Sequence, residues 1–362
     1  MTVITAPVTP PAKGGFHTLI VSDIESLTDD AVAVTFDVPD ELREAYDFRP
    51  GQSLALRRMI DGRDNRRTYS ICAPSGEKPR IGVREVPDGL FSGWLVRDLK
   101  IGDEVEVQTP TGSFAANPDE IARHVMIAAG SGITPMLSIA SSVLATEGTQ
   151  ATLFYGNRRS STVMFGESLA DLKDSYGSRF DLFHVLSREP RDVELFSGRL
   201  DADRLRMLLT MLVPVAAVDH FWLCGPFAMT AEAQRVLAEL GVPEERIHLE
   251  LFYVDEPPPE LHHVDAVATG ETSDVTIVLD GKSSTTPLSR AHSILDAAQE
   301  VRTDLPFACK GGVCGTCRAM VVDGEVDMRR NYALEKAEVA EGFVLTCQTF
   351  PCSDSVTVDF DR

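Results

Sequence analysis

The sequence of 362 residues lacks a long hydrophobic run, and it lacks the basic and then apolar start of a secretory signal. Its most apolar stretch, residues 125–140, is broken by two glycines and a proline, so it is unsuited to span a bilayer. We therefore predict a cytoplasmic protein that does not enter a membrane.

Positive charge is also scarce, because 34 lysine and arginine residues stand against 55 aspartate and glutamate residues, for a net charge of −21. Binding to a phosphate backbone requires clustered basic side chains, so we predict no nucleic-acid partner. The acidic surface has two interpretations that the sequence leaves open. It keeps the protein in solution, or it steers the protein toward a basic partner.

Two segments with different periodicity fill the first 253 residues. Residues 16–117 contain six short strands of alternating polarity separated by turn signals, which predicts a small antiparallel β-barrel with one short helix near residues 92–99. From residue 121 to 253, apolar runs alternate with helical patterns. That alternation is typical of an α/β domain built on a parallel sheet.

Three consecutive prolines in an acidic stretch predict an extended linker over residues 254–273, in which we expect His262 and His263 to be exposed. A third domain follows over residues 274–362. It opens with a hairpin-like pair of strands and a short helix, and it carries nine basic and fourteen acidic residues. We expect this domain to dock on a basic surface, at rates that depend on ionic strength.

Five of the seven cysteines lie in the third domain, and four of them have the spacing Cys309-x4-Cys314-x2-Cys317, followed by Cys347 after 29 residues. This is the spacing of plant-type ferredoxins. Glycines within the loop allow it to wrap tightly and bring amide groups to the sulfur atoms. We predict that these four thiolates ligate a [2Fe-2S] cluster.

A structural zinc site is the alternative, but such sites more often pair two Cys-x2-Cys sequences, and only one occurs here. Of the other cysteines, Cys72 and Cys352 are predicted to be small buried apolar residues. Cys224 precedes Gly225 and Pro226 at the end of a predicted strand. It either touches a nicotinamide ring or belongs to the core.

A flavin site is predicted in the barrel segment. Arg67, Tyr69 and Ser70 lie on one strand, where an arginine suits a pyrophosphate, a tyrosine ring can stack on a flavin and a serine can hydrogen-bond flavin N5. A plain half-buried strand is the alternative. The turn from Gly89 to Ser92 supports the flavin interpretation, because Ser92 is a good N-cap and a helix N-terminus attracts phosphate.

A nucleotide loop is predicted where Gly130-Ser131-Gly132-Ile133-Thr134-Pro135 follows a strand and opens a helix. The loop departs from the usual dinucleotide fingerprint because a proline stands at the third glycine position. Basic rather than acidic side chains follow the next two strands, and they favour a 2′-phosphate and hence NADPH over NADH. The alternative is that they are surface charges. These side chains are Arg158 and Arg188, with Ser187 beside the latter.

In this order the motifs resemble the ferredoxin–NADP reductase superfamily with a plant-type ferredoxin domain fused at the C-terminal side. Within it, the sequence is most similar to the reductase subunits of ring-1,2-phenylacetyl-CoA epoxidase complexes, and ketosteroid 9α-hydroxylase reductases are close relatives. The motifs that carry the resemblance are FRPGQ (48–52), RRTYSIC (66–72), IAAGSGITPML (127–137), DLPFACKGGVCGTC (304–317) and NYALE (331–335).

The resemblance implies a multidomain fold: an antiparallel β-barrel FAD domain, an α/β parallel-sheet nicotinamide domain and an α+β β-grasp ferredoxin domain. Ser70, Cys224 and Glu250 would take part in catalysis, with Phe252 closing the flavin pocket. The aromatic C-terminus that stacks on flavin in plant-type reductases is missing, because the chain continues from Phe252 into the linker. The remaining cofactor-binding residues implied are Arg67, Tyr69, Val83, Arg84, Gly89, Phe91, Ser92, Gly130, Ser131, Gly132, Thr134, Arg158, Ser187, Arg188, Gly225 and Pro226.

The resemblance also implies electron flow from NADPH through FAD and the cluster to a di-iron oxygenase acting on phenylacetyl-CoA. The sequence has no paired Glu-x-x-His motif for a di-iron centre, so that centre would lie in the partner. One alternative is a reductase for a ketosteroid or aromatic-ring hydroxylase. Others are a bound electron-transfer subunit or a redox sensor that does not use NADPH, although both nicotinamide motifs are present.

Overall fold

The computed structural model describes residues 15–60, 62–87, 89–252, 272–279, 281–299 and 305–362. The predicted linker, with His262 and His263, lies almost entirely outside these residues. None of the helices in the described ranges is long and apolar enough to cross a membrane. All seven cysteines are free thiols.

A six-stranded antiparallel barrel forms the first domain, with strand order β4-β3-β6-β1-β2-β5. An isolated bridge between Ile71 and Ile81 joins the ends of β4 and β5 and closes the barrel. Alternate apolar residues fill its interior, and the helix α1 (Leu90–Arg97) packs there through Phe91 and Leu95. The strands are β1 (Phe16–Thr28), β2 (Ala31–Asp37), β3 (Ser53–Ile60), β4 (Arg63–Ser70), β5 (Arg80–Arg84) and β6 (Glu104–Gln108).

A five-stranded parallel sheet forms the second domain, in the order β11-β10-β7-β8-β9. Helices α2 (Ile133–Val143) and α3 (Gly166–Tyr176) cover one face, and α4 (Ala202–Leu212) and α5 (Phe227–Glu239) cover the other. Because all strands run the same way, their carboxyl ends meet at one edge. The strands are β7 (Arg123–Ala129), β8 (Gln150–Asn157), β9 (Phe180–Leu186), β10 (His220–Cys224) and β11 (Ile247–Glu250).

The third domain is a mixed sheet in the order β13-β12-β18-β14-β16, with β12 and β18 parallel. A strand pair, β15 and β17, and two short helices, α6 (Ile294–Ala298) and α7 (Lys336–Ala340), complete it. This arrangement confirms the predicted α+β ferredoxin fold. Its strands are β12 (Thr272–Leu279), β13 (Lys282–Ser289), β14 (Arg318–Asp323), β15 (Val326–Met328), β16 (Phe343–Leu345), β17 (Thr349–Pro351) and β18 (Ser355–Asp359).

The barrel packs directly on the first helix of the parallel-sheet domain. A Cβ atom on Gly82 of β5 would lie 2.5 Å from Thr134 Cγ2 and 2.9 Å from the Phe165 ring, so only a glycine allows this approach. Ser138 Oγ of α2 donates a 2.6 Å hydrogen bond to the Ala73 carbonyl. These contacts fix where the carboxyl edge of the sheet meets the barrel.

Two local predictions are wrong. Ser92 is not an N-cap, because α1 begins at Leu90 after Gly89, and the Ser92 hydroxyl turns back to accept a hydrogen bond from the Val86 amide at 3.0 Å. Cys352 is exposed rather than buried, because it lies in the turn between β17 and β18.

We expect Gly82→Ala to lower the free energy of unfolding by about 1–3 kcal/mol, because the added methyl group overpacks the contact with Thr134. Urea denaturation followed by tryptophan fluorescence measures this. Gly166→Ala is the control, because a Cβ there meets nothing closer than 3.7 Å. Equal stability of the two variants would contradict the tight contact.

Candidate functional site

A hydrogen bond joins the barrel to the parallel sheet at the carboxyl edge. Ser70 Oγ, at the end of β4, donates to Glu250 Oε2, at the end of β11, over 2.8 Å. Burial raises the pKa of Glu250 to about 8, the Ser70 hydrogen bond opposes this rise, and the charge of Cys314 adds to it. The Glu250 carboxyl is therefore protonated at neutral pH.

Cys224 lies beside this pair, because it is the register partner of Glu250 on one side and of Ala128 on the other. The thiol is fully buried. Burial, and to a smaller extent the charge of Glu250, raises the pKa of Cys224. It is consequently a neutral thiol, which excludes a nucleophilic thiolate at this position.

The glycine loop follows β7 and leads into α2, as the sequence predicts. Gly130 has a φ of +57°, and its carbonyl accepts a 2.9 Å hydrogen bond from the Tyr155 hydroxyl. A Cβ on Gly132 would lie 2.2 Å from the Cys224 carbonyl oxygen. Thr134 Oγ1 donates to the Ser131 carbonyl at 2.9 Å. The loop thus packs against the end of β10. It leads into the N-terminus of α2, which has no side-chain cap, and an uncapped helix N-terminus can bind a nucleotide phosphate.

On the barrel side, Arg67 is exposed and Tyr69 is partly buried, with its ring 6.3 Å from that of Phe91. The α1 N-terminus after Gly89 has no side-chain cap and no acidic residue in its first turn. An uncapped helix and an exposed guanidinium fit a pyrophosphate. Val83 and Phe91 are buried in the barrel core, so only their main chains are available to a ligand.

Arg84 connects the two domains at the same edge. Its Nη2 donates to the Thr162 carbonyl at 2.7 Å, and its Nε lies 3.3 Å from Asp30 Oδ1. Nη1 lies 3.4 Å from the position of a Cβ on Gly130. Arg84 therefore already has protein partners, and it borders the glycine loop.

The basic side chains predicted for the adenosine phosphate lie where β8 and β9 end. The backbones of Arg158 and Arg188 are joined by a 2.8 Å hydrogen bond, and Ser187 donates to the Asn157 carbonyl at 2.9 Å. Both guanidinium groups are exposed, and no ion pair occupies either within the described part of the chain. Gly225 and Pro226 lie further along this edge, before α5.

The four predicted cluster ligands form two contacting pairs, Cys309 with Cys314 and Cys317 with Cys347. The Gly311 amide donates to Cys309 Sγ at 3.3 Å, and the Cys309 amide donates to Cys314 Sγ at 3.5 Å. Across the described ranges, no group of three or more His, Cys, Asp or Glu side chains suits a single metal ion. Two thiol pairs with amide donors fit a cluster of two irons.

Phe252 is 38% exposed and is the last described residue before position 272. Its proposed contact with a flavin stays a prediction.

Sequence reasoning missed Arg66, which lies on the same face of β4 as Ser70 and contacts the ferredoxin domain. The sequence also assigns no role to the loop at Asn331, although NYALE (331–335) is one of the motifs that carry the resemblance. Tyr332 of that loop donates its amide to the Gly312 carbonyl at 3.0 Å and lies 6.1 Å from the Phe227 ring. The sequence does contain a signal for Arg66: it lies four residues before Ser70, so the two side chains share one face of the strand.

Three family models match the chain in succession. They are an oxidoreductase FAD-binding domain over residues 18–115, an oxidoreductase NAD-binding domain over residues 126–235 and a 2Fe-2S iron-sulfur cluster binding domain over residues 277–352. The matches support the FAD, nicotinamide and cluster predictions.

Curated relatives cover nearly the whole chain. One component of the 1,2-phenylacetyl-CoA epoxidase of Escherichia coli is 44% identical over 96% of this chain and 98% of that protein. The ferredoxin reductase component of the 3-ketosteroid-9-alpha-monooxygenase of Rhodococcus rhodochrous is 31% identical over 94% and 96%. The crystal structure of phthalate dioxygenase reductase superposes with a TM-score of 0.58, at 25% identity over 96% of this chain and 98% of that one.

We expect Cys347→Ser to lose the iron–sulfur cluster, because one of the two thiol pairs then lacks a ligand. Iron and sulfide content per chain, with the visible absorption spectrum, measures the loss. Cys352→Ser is the control because its thiol is exposed and outside both pairs. A full iron content in Cys347→Ser would show that the predicted ligand set is wrong.

Proposed function

The chain belongs to the family of FAD- and [2Fe-2S]-containing reductase components of oxygenases, and on that premise we propose that it carries electrons from NADPH to a di-iron oxygenase acting on phenylacetyl-CoA. It is an oxidoreductase with a nicotinamide-binding, an FAD-binding and a cluster-binding domain. The observation that carries the proposal is the hydrogen bond between Ser70 and Glu250, which lies beside Cys224. The charge of Cys314, from the ferredoxin domain, acts on the Glu250 carboxyl. Residues from two domains meet there, and a cysteine of the third lies within range of their charge.

Bound FAD supplies the conversion between a two-electron donor and a one-electron acceptor. The protein's own part at this point is to hold a proton. Glu250 carries it at neutral pH, and the Ser70 hydroxyl connects it to the end of β4. We infer that this pair supplies the proton that accompanies the electrons.

The nucleotide is held by the carboxyl edge of the parallel sheet. The Gly130–Thr134 loop presents main-chain amides to the phosphates, and the fully buried Cys224 supports this loop from the end of β10. Arg158 and Arg188, with Ser187, bind the adenosine 2′-phosphate. Arg67 and the α1 N-terminus would bind the FAD pyrophosphate, and Tyr69 would offer its ring to the flavin.

The acceptor is proposed from the relatives and from charge. The 44% identity to an epoxidase component favours a phenylacetyl-CoA oxygenase over the ketosteroid monooxygenase served by the relative at 31% identity. The acidic ferredoxin domain suits docking on a basic partner surface. Seven free thiols support a reducing compartment, and we therefore place the reaction in the cytoplasm.

Anaerobic stopped-flow absorbance tests the electron path. On mixing with NADPH we expect flavin bleaching followed by loss of iron–sulfur absorbance, with a weaker response to NADH. Flavin bleaching without cluster reduction would show that the cluster does not accept electrons from the flavin in the isolated protein. No bleaching with either nucleotide would refute the reductase function and favour a bound electron-transfer subunit.

We expect Glu250→Gln to slow flavin reduction by roughly 100-fold, because an amide cannot supply the proton. The wild-type rate should fall as pH rises through about 8, because Glu250, whose pKa is raised to about 8, loses its proton there. This fall should be absent in the variant. Stopped-flow rates from pH 6 to 9 measure both effects. The exposed Glu245→Gln is the control, and a Glu250→Gln rate within twofold of wild type would contradict the proton role.

We expect Arg188→Ala to raise the Kd for NADPH roughly 10- to 100-fold and the Kd for NADH by less than twofold, because only NADPH carries the 2′-phosphate. Titration of the oxidised protein with each nucleotide gives the constants. The exposed Arg191→Ala serves as the matched control. An equal change for both nucleotides would place Arg188 away from the 2′-phosphate.

A further inference from the structure

The ferredoxin domain reaches the barrel through one deeply buried side chain. Arg66 of β4 is only 3% exposed, yet its Nη1 donates to the Leu305 carbonyl of the ferredoxin domain at 3.2 Å. Its guanidinium carbon lies 4.1 Å from the centre of the Phe307 ring and 5.0 Å from that of Phe16. The arginine is thus enclosed between an aromatic ring of the barrel and one of the ferredoxin domain.

The charge of Arg66 is compensated within the barrel. Asp64 accepts hydrogen bonds from its Nε at 3.1 and 3.2 Å and from its Nη2 at 2.7 Å. This bidentate pair fixes the plane of the guanidinium and leaves Nη1 free to reach Leu305. The contact with the ferredoxin domain is therefore made by a side chain that is already held rigid on β4.

The part of the ferredoxin domain that Arg66 holds leads directly into the cluster loop. Phe307 is two residues before Cys309, and the Lys310 ammonium also lies over the Phe307 ring, 5.0 Å from its centre. Lys310 Nζ bonds Asp296 and Gln299 of the segment around α6, at 2.8 and 2.7 Å. Phe307 thus couples the position of Arg66 to that of the loop.

The other contacts of the ferredoxin domain lie nearer to solvent. Glu335 pairs with His248 at 3.3 Å, but the Glu335 side chain is 55% exposed. The Lys336–Glu244 pair is more exposed still, at 83% and 68%. Exposed ion pairs contribute little, whereas removing one partner of a buried charged contact is strongly destabilising. A cleft of about 390 Å³ lies beside Arg66, between β4 and the cluster loop.

We propose that Arg66 is a positioning residue for electron transfer, which holds Leu305 and Phe307, and through them the Cys309 loop, against the strand that carries Ser70. This inference rests on the proposed function, in which one electron leaves reduced FAD and enters the oxidised cluster. Ser70 lies on the same face of β4, four residues from Arg66. Loss of the contact lengthens or loosens the path between the two groups without touching the nucleotide site.

The test compares Arg66→Ala and Phe307→Leu with wild type in the full-length protein loaded with both cofactors. In anaerobic stopped-flow with NADPH, we expect cluster reduction to slow roughly 10- to 100-fold and flavin bleaching to stay within twofold. Phe307→Leu removes the ring contact from the ferredoxin side and leaves the Leu305 hydrogen bond, so it remains informative if Arg66→Ala folds poorly. Arg58→Ala is the matched control, because Arg58 lies over Trp94 within the barrel, 4.4 Å from its ring centre.

A double-mutant cycle and amide hydrogen exchange complete the test. If Phe307 acts through Arg66, adding Phe307→Leu to Arg66→Ala should slow cluster reduction little beyond the effect of Arg66→Ala alone. Exchange should rise over residues 305–311 in both variants but not in Arg58→Ala. The proposal would be overturned if both variants showed wild-type amide exchange over residues 305–311 and a wild-type rate of cluster reduction. If wild-type flavin is not bleached, the proposed function fails, and the exchange result still decides whether Arg66 holds the loop.

Discussion

The assembly of this site depends on which side chains of strand β4 point outward from the barrel. Because side chains alternate along a strand, Arg66, Thr68 and Ser70 of β4 share a face, while Arg67 and Tyr69 share the other. Arg66 contacts the ferredoxin domain, and Ser70 contacts the parallel-sheet domain. Between them the Thr68 hydroxyl is buried, with no hydrogen-bond partner in the described structure.

This alternation makes the register of β4 against β3 decisive. Ser70 pairs with Ser53, and Arg66 pairs with Arg57. A shift of one residue would exchange the two faces, so that Arg66 and Ser70 would turn away from the other two domains and lose their contacts with them. The same strand thus separates two tasks: one face provides the contacts between domains, and the other offers Arg67 and Tyr69 to a flavin nucleotide.

Much of the architecture could be predicted from the sequence, because local periodicity and cysteine spacing carry it. The barrel, the parallel sheet and the ferredoxin fold follow from strand alternation, from βα repeats and from the loop around Cys309. The pairing of Ser70 with Glu250 could be inferred only through family resemblance, because 180 residues separate them and no periodicity connects distant strands.

The wrong or missed features share a physical origin, which is that tertiary contacts decide them. Ser92 has the right residue type for an N-cap, but the turn at Val86 uses its hydroxyl. Arg66 resembles any charged residue on a strand until the ferredoxin domain is packed against it. The loop at Asn331 has no regular period, and its side chain stabilises it by accepting from the Leu334 amide at 2.8 Å.

The parallel pairing of β12 with β18 has a consequence for biosynthesis. Val275 near the start of the ferredoxin domain lies beside Val356, and the segment between them contains all four predicted ligands. On a ribosome the barrel and the parallel-sheet domain are complete long before β18 has been made, and domains generally fold in the order of synthesis. The sheet that supports the cluster loop closes only after residue 359 has emerged. Cluster insertion is therefore a late event, delivered to a chain whose other two domains already have their native form.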